Sequence, residues 1–123
     1  MKFYQCKRCG NIVQYIENQG PPIVCCGEKM EEMTVGTVDA SREKHVPVVE
    51  TTGSAVKVAI GSQPHPMVAE HYIGWVTLET TQGSQHKELD HTGAPEVTFA
   101  LAEGEKPVAA YAYCNLHGLW KNK

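Results

Sequence analysis

Val56-Lys57-Val58-Ala59-Ile60 puts an apolar side chain at every second position, with Lys57 and Ala59 between. Successive side chains of a strand point to opposite faces, so this period of two is the mark of a strand with one face on a core. Trp75-Val76-Thr77-Leu78-Glu79-Thr80 repeats the pattern, and so does Val97-Thr98-Phe99-Ala100-Leu101. Val108 to Tyr113 is a longer apolar run bounded by Pro107. Gly and Pro interrupt the chain roughly every ten residues, which predicts an antiparallel sandwich or barrel. No stretch carries a helical stripe, an internal repeat or low complexity. The fold class is therefore mainly β. Residues 38–123, about 85 in several short strands, have the size of an immunoglobulin-like sandwich.

Upstream of Thr37-Val38 the character changes. Residues 1–37 hold four of the five cysteines and only short apolar pieces, Ile12-Val13, Tyr15-Ile16 and Ile23-Val24. Turn signals separate them at Cys9-Gly10-Asn11, Asn18-Gln19-Gly20-Pro21-Pro22 and Cys26-Gly27. A segment this short does not bury enough surface to fold unaided and needs a metal, disulfides or a partner. An odd number of cysteines, behind a start with no apolar signal segment, fits a disulfide framework poorly. Cys6-x2-Cys9 followed by Cys25-Cys26 instead offers four thiolates, a set that suits tetrahedral zinc or iron. A zinc ribbon is the common use of such a set. Ribbons employ two Cys-x2-Cys knuckles, however, and an adjacent cysteine pair has to splay its side chains and distort the tetrahedron. A thioredoxin-type redox motif would need a βαβ setting that is absent here.

A second constellation lies in the β region: His45 in Glu43-Lys44-His45-Val46-Pro47, His65 and His71 in Pro64-His65-Pro66-Met67-Val68-Ala69-Glu70-His71, and Cys114-x2-His117. Each histidine falls beside Pro or Gly or at a strand boundary. Pro64 and Pro66 stiffen the loop around His65. Any one of these histidines alone would read as a hydrogen-bonded surface residue, and Cys114 alone as a small buried hydrophobe. Four imidazoles and a thiol gathered at loops around one β-domain make a metal site the better reading. His86 and His91 lie in a polar hairpin-like stretch, 85–91, and read as solvated. Eleven basic against fourteen acidic residues give a net charge of −3, which argues against nucleic-acid or anionic-membrane binding. No apolar run approaches the ~20 residues of a membrane span. A soluble, cytoplasmic protein is expected.

The whole chain resembles the desulfoferrodoxins, two-iron superoxide reductases. The resemblance rests on the Cys-x2-Cys-x15-Cys-Cys lead, the Glu-Lys-His-Val-Pro loop, His-Pro-Met-x3-His, and the terminal Cys-Asn-x-His-Gly-x-Trp, all in the family's order. It implies a desulforedoxin-like domain over 1–37 with an Fe(Cys)4 centre on Cys6, Cys9, Cys25 and Cys26. It further implies a catalytic sandwich over 38–123, with iron held by His45, His65, His71 and His117 in a plane and Cys114 on the axis. By the same resemblance Lys44 draws the superoxide anion and helps deliver a proton, and Glu43 takes the sixth position of the ferric product and displaces peroxide. Both sit on what reads as a mobile loop, Ser41 to His45, and as a bare pair they would be solvated charges. An outside electron is needed for each turnover, which implies a rubredoxin-like donor protein, and a homodimer is expected. Two other classes compete. A blue-copper electron carrier would use Cys114 and His117 with His65 or His71, but no methionine follows His117 and the N-terminal thiolates would be left unexplained. A zinc-ribbon adaptor would make 1–37 a partner-binding piece and the β-domain a scaffold.

Overall fold

Turn residues cut the beginning of the chain into strands of two or three residues. β1 (Phe3–Gln5) lies between β2 (Ile12–Gln14) and β5 (Glu31–Glu32), while β3 (Val24–Cys25) and β4 (Glu28–Lys29) form a separate hairpin. All of these pairings are antiparallel. The computed structural model describes residues 1–36 and 42–122. It divides into two units, Met1–Thr34 and Val35–Lys123. The boundary read at Thr37-Val38, like Ser41 at the head of the presumed loop, lies outside the described residues. In the first unit Phe3, Cys6 and Met30 are the buried apolar side chains, whereas Ile16 is 92% and Val24 59% exposed. So small a core leaves the cysteine cluster as the centre of the unit.

The first described element of the second unit is one helical turn, α1 (Arg42–His45), closed by the Val46 N–H on the Arg42 carbonyl at 2.9 Å. Seven strands follow: β6 (Pro47–Thr52), β7 (Ala55–Ile60), β8 (Ile73–Thr80), β9 (Gly83–Glu88), β10 (Glu96–Ala100), β11 (Pro107–Cys114) and β12 (Gly118–Lys121). They form two antiparallel sheets, β10-β7-β6 and β12-β11-β8-β9. The inward side chains of both make one core: Val56, Val58 and Ile60 of β7 and Phe99 of β10 against Ile73, Val76 and Leu78 of β8 and Ala110, Ala112 and Cys114 of β11. Two sheets sharing one apolar layer are a β-sandwich. In β7 the alternation seen in the sequence is the alternation of burial: Val56, Val58 and Ile60 face in, while Lys57 faces out and meets Glu96 at 3.2 Å.

In β8 the phase breaks once. Tyr113 pairs with Trp75 but Cys114 pairs with Ile73, so Gly74 is the extra residue of a β-bulge. A bulge re-aims the side chains on one side of it. Val76 and Leu78 face the core, and beyond Gly74 so does Ile73, directly opposite Cys114. The bulge thus closes the core under the thiol.

One local reading is corrected. Residues Arg42–His45 are a helical turn rather than open loop, because a single turn is too short to show a periodic stripe. Residues 83–88 are the edge strand β9, whose polar side chains reflect an edge exposed on both faces. His86 is exposed there, yet its Nδ1 lies 2.8 Å from the hydroxyl of Thr77, which is wholly buried.

Candidate metal centres

In the first unit the Cys-x2-Cys turn aims backbone donors at sulfur. The Cys9 N–H lies 3.5 Å from Cys6 Sγ, and the Asn11 N–H lies 3.5 Å from Cys9 Sγ. Across the hairpin the adjacent pair separates because Cys26 adopts a left-handed φ of 54° and Gly27 follows at 76°. Cys9 and Cys25 sulfurs are then 3.6 Å apart, Cys25 and Cys26 4.0 Å, and all four within 4.8 Å of one another. An ion ~2.3 Å from each of four sulfurs requires S···S edges of about 3.8 Å, so the cluster fits a tetrahedral ion. Ionisation within the cluster is uneven. Backbone N–H groups of Cys9 and Arg8 pull Cys6 down to about 6. Contacts with Cys9 and Cys6 push Cys25 up, and contacts with Cys9, Cys6 and Cys25 push Cys26 up to about 12. Four thiolates at this spacing need a cation among them.

The second cluster draws on four separate segments of the sandwich. The His45, His65, His71 and Cys114 ligand atoms lie within 4.8 Å of one another. His117 joins them: its Nδ1 is 3.8 Å from Cys114 Sγ and 3.0 Å from Nε2 of His45, 72 residues away in sequence. Ring centroids run around a near-square, 4.7 Å from His45 to His65, 4.6 Å to His71, 5.1 Å to His117 and 4.8 Å back to His45. Neighbouring rings are set at 80–83° and the His45–His71 diagonal is 6.3 Å. Nitrogens on adjacent corners of a square around an ion at ~2.1 Å stand about 3.0 Å apart, as the His45–His117 pair does. Among the described residues, Nε2 of His65 and of His71 are buried with no hydrogen-bond partner. Buried polar nitrogens are ordinarily satisfied, so two orphaned lone pairs in one cluster fit the binding of a cation.

Several of these residues are held from behind. His65 donates through Nδ1 to the Pro66 carbonyl at 2.7 Å, which leaves Nε2 as the lone pair. Burial first, then the charges of His45, His71 and His117, hold His65 down at about 4 against that carbonyl, so it is a neutral imidazole at neutral pH. Burial, His117 and the Lys44 ammonium lower His71 in turn. Burial raises Cys114, while the N–H groups of Leu116 and His117 oppose it. Trp120 packs on His45 with centroids 4.9 Å apart and donates from Nε1 to the His117 carbonyl at 3.1 Å.

Gly61 joins the His45 and His65 segments. At φ +84° it brings the 60s loop against α1, so that the Gln63 N–H reaches the Glu43 carbonyl at 2.9 Å and the His65 N–H the Ile60 carbonyl at 3.1 Å. A Cβ at Gly61 would stand 2.3 Å from the Gln63 carbonyl oxygen and 2.6 Å from that of Glu43. Glu43 and Lys44 are exposed on α1, and Lys44 is near enough to act electrostatically on His71. A groove lined by Arg42, Glu43, Val46, Val48, Ser62 and Asn122 among others includes none of these five residues. His91 stands apart from the cluster, beside Asp90 at 3.7 Å. Trp120 was legible in the sequence only as part of a motif, and Gly61 not at all, since its role depends on a backbone contact across 18 residues.

Among the described residues no helix is long and apolar enough to cross a membrane. Residues 37–123 match the desulfoferrodoxin family, and residues 1–33 match the N-terminal domain of desulfoferrodoxin. The desulfoferrodoxin of Nitratidesulfovibrio vulgaris is 45% identical over 120 residues, which cover 98% of this chain and 94% of that one. The crystal structure of the superoxide reductase from Treponema pallidum is similar with a TM-score of 0.84 and 47% identity, over 99% of this chain and 98% of that one. A superoxide reductase (1Fe-SOR) from Giardia intestinalis is similar over 65% of this chain and 95% of its own, at 35% identity and a TM-score of 0.56. With both domains matched and relatives aligned along nearly their whole length, this chain belongs to the desulfoferrodoxin family.

Proposed function

We propose that this protein is a superoxide reductase that takes one electron and two protons per superoxide and releases hydrogen peroxide. The observation that carries the reading is the near-square of four imidazoles beside Cys114, with the buried Nε2 atoms of His65 and His71 left without partners among the described residues. His45, His65, His71, His117 and Cys114 would hold a non-haem iron, and Cys6, Cys9, Cys25 and Cys26 a second. Bound there, ferrous iron would supply the electron that reduces superoxide.

The chain's own residues do the rest. Four neutral imidazoles and one thiolate bring a single negative charge to a divalent cation, so the site keeps a net positive charge that favours an anion. Lys44, one residue from a ligand and felt at His71, adds local positive potential and is a proton source through water. Glu43, on the same turn, is an anion that competes with peroxide and so hastens its departure. Burial of Cys114 in the sandwich core keeps water from the sulfur side. The buried thiolate also donates electron density that eases loss of the transferred electron.

Each turnover consumes one electron, so a rubredoxin-like donor protein completes the cycle. The cysteine centre is placed by this reading in a separate N-terminal domain, residues 1–37, and the catalytic centre in residues 38–123. Exposed Ile16 and Val24 on a unit with so small a core support a homodimer, and the cysteine-held metals support a reducing, cytoplasmic setting. The test is metal analysis with pulse radiolysis. Two irons per chain, a ferric-thiolate absorption band, and loss of superoxide with one peroxide formed per ferrous site oxidised are expected. One copper or one zinc per chain, or peroxide formed with equal release of dioxygen, would overturn the reading.

A further inference from the structure

His71 is the ligand with the least regular support. It sits between β7 and β8, in a stretch with no strand among the described residues, where His71 forms an isolated bridge to Val68 and the two exchange N–H···O=C bonds of 3.2 and 3.0 Å. The side chain of Asn115, one residue beyond Cys114, grips the chain on both sides of it. Its Oδ1 accepts the Tyr72 N–H at 2.9 Å and its Nδ2 donates to the Glu70 carbonyl at 2.9 Å. The Asn115 N–H also reaches the Tyr72 carbonyl at 3.2 Å. A backbone N–H can only donate and a carbonyl only accept, so these partners fix which way the amide points.

We infer that Asn115 is a positioning residue, clamping the two peptides that flank His71 and so holding His71 in register with Cys114 and His117. Its neighbour Cys114 ends β11 and His117 lies in the following turn, so the clamp references a loop ligand to the strand that carries the thiol. The side-chain chemistry is restrictive. Aspartate fills the same space and keeps the acceptor but has no donor for Glu70; serine does not span both groups; glutamine is a methylene too long. The inference rests on the metal site proposed above, but concerns ligand placement rather than superoxide chemistry.

The test uses the iron-loaded full chain, with Asn115→Ala, Asn115→Asp and, as a control outside the site, Gly53→Ala. Iron release from the second centre to a ferrous chelator should be roughly 10–100-fold faster in both Asn115 variants, the range by which groups that orient metal ligands alter affinity. The first centre should be unchanged. The ferric-thiolate band should shift in the Asn115 variants and not in Gly53→Ala. In metal-free protein, amide hydrogen exchange at Val68 and His71 should quicken while β8 beyond Gly74 stays protected. Release, band and exchange all at wild-type levels in Asn115→Ala would overturn the inference. So would an aspartate variant that matches wild type, since the amide's size alone would then suffice. If wild type binds both irons but does not reduce superoxide, the proposed activity fails and these readouts still judge Asn115.

Discussion

Replacing Gly61 by alanine tests whether the two loops that carry His45 and His65 depend on one close backbone approach. Two costs separate. Alanine at φ +84° carries a left-handed strain of about 1–2 kcal/mol. The new Cβ also meets two backbone carbonyl oxygens, at 2.3 and 2.6 Å, which cannot rotate away as a side chain would. Forced separation of packed groups costs a further ~1–3 kcal/mol. Gly53, in the turn between β6 and β7, supplies the control: its φ is +60° and nothing lies within 4 Å of a Cβ built there. Gly53→Ala should show the strain alone. Gly61→Ala should therefore be the worse by about 1–3 kcal/mol, a melting temperature lower by roughly 4–24 °C at the usual sensitivity of a domain this size. Thermal and urea unfolding of iron-loaded and metal-free protein measure the difference, and the ferric-thiolate band reports the site. The band should change only in Gly61→Ala, because the carbonyls it displaces belong to Gln63 and Glu43, two residues from His65 and His45. Equal destabilisation by the two alanines, with both bands unaltered, would refute the argument that this contact sets the ligands.

Lys44→Ala should slow the second-order reaction of the ferrous protein with superoxide by at least about tenfold at low salt and flatten its ionic-strength dependence, with iron content unchanged; pulse radiolysis over a salt series gives both. Cys9→Ser should lose or alter the first centre and leave the sandwich folded with its iron, as read by metal content and circular dichroism; loss of both irons in one unfolding step would refute the independence of the two units. Glu105 accepts from the Thr80 hydroxyl and the Ala102 N–H, which hold its carboxyl below the usual range. A lowered folded-state pKa contributes stability above the unfolded-state value, about 4.3, and that stability is lost as pH falls through the folded one. Glu105→Gln should thus be less stable than wild type near neutrality, with the gap closing below about pH 4; a constant gap in urea unfolding from pH 7 to 3 would refute this.

The sandwich was legible where a strand has one wet face. Val56, Val58 and Ile60 announce β7 because Lys57 stands between them, and Phe99 does the same for β10. It was not legible where neither face is apolar, as in Gly83–Glu88, or where the element is one turn long, as in Arg42–His45. The phase slip at Gly74 is hidden too, because Trp75 and Tyr113 stack at 5.6 Å outside the core and look as hydrophobic as the inward residues. For the centres, residue type and spacing point to thiolates and imidazoles, since so few side chains bind transition metals. What the spacing does not carry is the support: Asn115 to Glu70 spans 45 residues, and its meaning lies in hydrogen bonds to main-chain atoms that any residue supplies.

The separation of the ligands along the chain has a consequence for folding. Cys6 and Cys25 are 19 residues apart, His45 and His117 are 72. Closing the longer loop costs about 1 kcal/mol more in chain entropy, and its ends meet only after the strands between them have paired. The cysteine centre can be assembled on a nearly unstructured chain, by an ion that gathers its own ligands. The histidine centre cannot recruit its ligands in that way. Its ion must arrive at a sandwich already built, so the rate of loading there should follow the folding of the β-strands, whereas loading of the cysteine cluster should follow the concentration of free metal.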